Sequence, residues 1–123
     1  MSEPTRRERG LAMFQEVYDG DLPAPPEGVM DFFDLMLEQT FAELWTREAL
    51  SMRDRRLVIM GVIAALGERD TFKIQARAAL KKGELSPEQL REIVIQLAHY
   101  AGYPRAAGLV GVVEQAIAEV AKG

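Results

Sequence analysis

Ten consecutive residues, Leu57 to Leu66 (LVIMGVIAAL), carry no polar side chain, and none follows until Glu68. The run is too short to cross a bilayer, which takes about 20 apolar residues in a helix. Its length suits a buried helix instead. Ser51, with Asp54 three residues on, supplies a capping-box start, so the pattern predicts a helix over about Met52–Leu66. A helix that is apolar all round must be covered all round. In a chain of 123 residues that is easier if subunits pack together. The run therefore points to self-association as well as to a helix.

The rest of the chain follows the same period. Nothing alternates with period two for long, and glycine and proline fall between periodic segments, so six helices and an all-α fold are expected. A first helix over about Thr5–Tyr18 precedes the proline-rich strap Asp19–Gly28, and a second covers about Val29–Leu44. A fourth covers about Glu68–Lys82 and stops at Gly83, a C-cap glycine after two lysines. Ser86-Pro87-Glu88-Gln89 is the strongest local signal: an N-cap serine, proline at the first helical position, and glutamine three after the cap. The fifth helix starts there, is broken by Gly102-Tyr103-Pro104, and is followed by a sixth over about Arg105–Ala121. The length suits one domain over residues 1–123.

Composition excludes several classes. There is no cysteine, so disulfides, thiolate catalysis and cysteine-ligated metal are ruled out. The net charge of −4 leaves no electrostatic footprint for nucleic acid, and the basic clusters around Arg6 and Arg55 are interrupted by Glu8 and Asp54. The N-terminal stretch MSEPTRRERG lacks the apolar core of a secretory signal. A cytoplasmic location, with neither membrane nor nucleic-acid partner, is the expectation.

The fourth helix opens with charged and hydroxyl groups just after the apolar run. Spacings of three and four place Glu68, Thr71 and Gln75 on one helical face, which is either a solvated surface or the wall of a pocket. Around them, the S-x-R-x-R-x-L start of helix three, A-L-x-x-G before Ser86, and Q-L-A-x-Y-A-G-Y-P at the end of helix five occur in order between Ala49 and Gly108. That order resembles the carboxymuconolactone decarboxylase family. The resemblance implies an all-helical, AhpD-like bundle that assembles as trimers or hexamers.

The family has two chemical branches. One resembles AhpD-like peroxidases, with a C-x-x-C-x-x-x-H motif at the start of helix four and a glutamate on helix three. Its cysteines fall on Glu68 and Thr71, its histidine on Gln75 and its glutamate on Arg56. Peroxide reduction by that route needs a thiolate and a base to activate it, so thiol peroxidase activity is rejected. The other branch resembles the decarboxylase of aromatic catabolism, which works without a cofactor. It too commonly has histidine where this chain has Gln75, and glutamine carries no proton near neutral pH.

The resemblance implies a carboxy-lyase-like role, with a small carboxylated lactone or related ring compound as substrate. Arg56 would hold a carboxylate and Glu68, if buried, would supply a proton, with Thr71 and Gln75 orienting substrate oxygens. The alternative for Arg56 and Glu68 is a structural salt bridge across the turn between helices three and four. Trp45 and Tyr100 either stack over a flat ring or anchor core and interface. His99, the only histidine, lies opposite the core stripe of helix five and reads as a surface or subunit-contact residue. With no second histidine beside it, no metal site is expected. The alternative function is a family member that binds small acids and has lost the chemistry.

Overall fold

A computed structural model describes residues 2–123, and among them all regular structure is helical. The chain divides into two compact units, Met1–Met52 and Arg53–Gly123.

The first unit begins with α1, Arg6–Val17. Thr5 caps it: its side chain accepts from the Glu8 N–H while the Glu8 carboxylate accepts from the Thr5 N–H, so two otherwise orphaned donors are satisfied. The strap that follows is held from below by Asp34, whose carboxylate accepts from Arg7 Nε at 2.7 Å and from the Gly28 N–H at 3.0 Å. The second helix starts two residues later than its apolar pattern suggested and changes pitch. α2 covers Asp31–Met36, and Leu37–Leu44 continues as a π-helix, ending with the Trp45 N–H bonded five residues back to Thr40 O. Leu37, Phe41 and Ala42 of this wide segment are buried. Phe14 meets Phe41 edge to face, and Phe41 stacks on Trp45. Gly10 lets α1 approach, since a Cβ there would overlap the Leu37 carbonyl.

The second unit is a four-helix arrangement. α3 runs Met52–Leu66, α4 Arg69–Lys81, α5 Pro87–Tyr100 and α6 Tyr103–Ala121. α6 packs on both α4 and α5. Met60 and Ala64 of α3, Phe72 and Ala76 of α4, Leu90 and Val94 of α5, and Leu109 and Val113 of α6 share one core. α6 starts two residues before the expected Arg105 because proline is tolerated in a first helical turn, where its missing N–H has no intrahelical partner to lose.

Two turns of this unit are built alike. After α3, Gly67 takes φ +75°, its N–H reaches Ala64 O and the Glu68 N–H reaches Ile63 O. After α4, Gly83 takes φ +71°, its N–H reaches Leu80 O and the Glu84 N–H reaches Ala79 O. Both are Schellman caps that need the left-handed glycine, and each places a glutamate just past it. The apolar run divides: Met60 and Ala64 are buried, whereas Val58, Val62 and Leu66, at four-residue steps, are more than half exposed. The single chain thus covers one side of α3 and leaves a ridge. No helix among the described residues is long and apolar enough to cross a membrane.

The caps and the strap make two predictions. Ser86 accepts from the Gln89 N–H at 3.1 Å and Gln89 returns the bond to the Ser86 N–H, so Ser86→Ala should lower unfolding free energy by ~1 kcal/mol in urea titration. Arg7, and then the Gly28 N–H, hold the Asp34 carboxyl below its usual value of 3.8. A lowered carboxyl stabilises the fold above that value and loses the contribution as pH falls through the lowered one. Asp34→Asn should therefore flatten the acid limb of a stability–pH profile and weaken the fold at neutral pH.

Candidate functional site

Arg56 has no exposed surface, and Gln75 is 1% exposed. A guanidinium cannot shed its charge, so one this deep requires a carboxylate partner. Glu84 is that partner: Arg56 Nε donates to Oε1 at 2.6 Å and Nη2 to Oε2 at 3.2 Å, a two-pronged pair. Arg56 Nη1 donates to Gln75 Oε1 at 2.8 Å. Arg53, one turn earlier, donates through Nε to the Glu84 backbone carbonyl at 2.9 Å. Three pieces of chain, α3, α4 and the turn after α4, thus close on one guanidinium.

The local sequence explains how each arrives. Arg56 shares the inward face of α3 with Met60 and Ala64, at four-residue steps. Gln75 sits among the buried residues of α4, beside Ala76 and one turn past Phe72. Glu84 is delivered by the Gly83 cap, and the buried Leu85 behind it holds the turn against the core. Glu84 lies 28 residues from Arg56, beyond the start of α4 where the sequence pattern points for a partner. Its signal was present as an acidic residue between a cap glycine and a core leucine.

The structure brings Arg56 and Gln75 together but does not bring Glu68 and Thr71 to them. Both are exposed. The shared face fails at Glu68 because that residue is the N-cap, with φ −90° and ψ 83°, so the step to Thr71 is not a helical step. Thr71 lies in the first turn of α4, on its solvent side. The alternative of a salt bridge between Arg56 and Glu68 is not what forms; Arg56 pairs with Glu84 instead. Trp45 is 8% exposed within the first unit, stacked on Phe41 with the rings 8° from parallel. Tyr100 is 84% exposed at the end of α5. His99 is on the surface, its Nδ1 3.0 Å from Ile95 O and its ring edge-on to Tyr103. No group of three histidine, aspartate or glutamate side chains able to hold a metal occurs among the described residues.

Chemically, the buried cluster is a closed frame. The forked edge of Arg56 is occupied by Glu84, and Gln75 supplies a hydrogen bond but no titrating group. Glu68 and Thr71, at the start of α4, are exposed to solvent.

Residues 30–115 match the sequence profile of the carboxymuconolactone decarboxylase family. The chain belongs to that family. The match reaches further towards the N-terminus than the motifs between Ala49 and Gly108. The 4-carboxymuconolactone decarboxylase of Acinetobacter baylyi is 31% identical over 74 residues, covering 60% of this chain and 54% of that protein. The chain therefore spans about half the length of this curated relative.

Removing one member of a buried ion pair strands the other. Glu84→Gln, which keeps the shape but not the charge, should cost about 3–5 kcal/mol of unfolding free energy. The double variant Arg56→Met/Glu84→Leu should regain most of that loss, because neither charge is then left uncompensated. Urea unfolding of the single and double variants checks both statements.

Proposed function

We propose that this member of the carboxymuconolactone decarboxylase family is a cofactor-independent carboxy-lyase. Its substrate is a small carboxylated lactone or related ring compound. The observation that carries the reading is the match over residues 30–115. It is supported by likeness to a protein named 4-carboxymuconolactone decarboxylase. The bond from ring carbon to carboxylate breaks, its electron pair stays on carbon and spreads into the ring carbonyl system, and carbon dioxide leaves. Glu68 delivers a proton to that carbon and is reprotonated from water. Thr71 orients a substrate oxygen, and substrate or a second subunit excludes water from Glu68. Arg56 and Gln75 act as a buried brace under the site, with Arg56 bound to Glu84 rather than to substrate.

The same reading includes assembly as a trimer or hexamer, supported by the exposed ridge Val58, Val62 and Leu66. Tyr100, exposed at the end of α5, serves as an aromatic wall for a ring held between subunits, and Trp45 as a buried anchor. A cytoplasmic site of action within aromatic catabolism fits that chemistry.

A second reading, a small-acid-binding protein without turnover, is favoured by one observation: the buried cluster holds glutamine where the family commonly has histidine, beside an arginine already neutralised.

Incubation with 4-carboxymuconolactone, followed by proton NMR for loss of substrate, decides between the two. Turnover is expected, and Glu68→Gln should abolish it while light scattering shows unchanged assembly. Thermal stabilisation by the lactone without turnover establishes the binding reading instead. Val62→Lys should shift the light-scattering mass towards the monomer, because it places a charge on the ridge.

A further inference from the structure

The chain has eleven arginines. Seven of them hold a hydrogen bond or ion pair to an identified group, and Arg47 and Arg55 also interact within the chain. The two exceptions, Arg69 and Arg105, stand at the same corner. Arg69 opens α4 and lays its guanidinium on Gly108 of α6, where a Cβ would overlap Cζ, Nε and Nη2. Arg105, one turn before Gly108, returns the contact: its Nη1 lies 3.1 Å from where a Cβ on Gly67 would be. Each arginine thus crosses to the glycine beside the other. Six other arginines pair with carboxylates and Arg9 with the Pro4 carbonyl, whereas among the described residues neither Arg69 nor Arg105 pairs with a carboxylate. Glu68 and Asp70 flank Arg69 in sequence, and neither pairs with it among the described residues.

We infer that Arg69 and Arg105 form a carboxylate-binding clamp, and that they hold the carboxyl group the substrate keeps while Glu68 serves the carbon from which the other departs. The inference rests on the carboxy-lyase reading for its substrate, but the clamp itself rests on the two arginines and the two glycines. Guanidinium forks match carboxylate oxygens in pairs, and a flat seat on a glycine Cα fixes the fork before a ligand arrives. Arg56 is thereby relieved of the role of grip, which its bond to Glu84 forbids. Glu68 adjoins Arg69 in the chain and follows Gly67, on which Arg105 rests, so the proposed donor stands beside the clamp.

The test uses cis,cis-muconate, a small dicarboxylate, as the titrant in calorimetry of the full chain. Arg69→Gln and Arg105→Gln should each raise its Kd by about tenfold or more, the loss of one charge-assisted contact, with unchanged melting temperature. Arg91→Gln, which removes an arginine already paired with Glu114, should leave the Kd within about twofold, because that site is not in the clamp. Gly108→Ala removes no charge but displaces the Arg69 fork, and should also weaken binding. The clamp is overturned if wild-type protein binds muconate no better than acetate, or if the Arg69→Gln/Arg105→Gln double variant binds it as well as wild type. Arginine-dependent muconate binding without turnover of carboxymuconolactone would keep the clamp and reject the lyase reading. Turnover that survives in the double variant with unchanged KM would keep the lyase reading and reject the clamp.

Discussion

A permanently charged side chain with no exposed surface governs the second unit. A guanidinium withdrawn from water is tolerated only when its donors are met. Glu84 takes the fork and Gln75 takes another N–H, so α3, α4 and the α4–α5 turn must arrive at one point. The constraint reaches outward from there. Glu84 is positioned by a Schellman turn that needs Gly83, and that turn seats Leu85 in the core. The charge cluster and the hydrophobic core are thus fixed by the same few residues.

The twin turns at Gly67 and Gly83 show how one backbone motif serves two ends. Each puts a glutamate immediately after a left-handed glycine. Glu84 turns inward and neutralises Arg56, while Glu68 remains exposed. The difference lies in what each meets: a buried cation draws the first carboxylate, and no buried cation waits for the second. The open end of α4 also gathers Arg69 and Arg105, so the inner side of this region is electrically closed and its outer side is not. Of Glu68, Thr71 and Gln75 near the start of α4, two are exposed and one is built into the frame.

Much of the fold was legible in the sequence because it is written in local terms. The capping box at Ser86, the cap glycine at 83 and the period of the apolar residues are short-range signals, and the helices they bound appear within two or three residues of expectation. The widening of the second helix into a π-helix was not legible, since its apolar residues occupy more than one face and select no pitch. The candidate site was legible in part. Gln75 and Arg56 do meet, but the three-residue step from Glu68 assumed a helix that had not yet begun.

The sequence alone determined that the chain is helical, where most of the helices stop, and that thiol chemistry is absent, because propensity, capping and residue identity are properties of short segments. Only the tertiary structure decided that Arg56 belongs to Glu84, 28 residues away, and that Arg69 and Arg105 rest crosswise on Gly108 and Gly67. Which charges find partners depends on how helices distant in sequence cross, and a linear pattern does not carry that geometry.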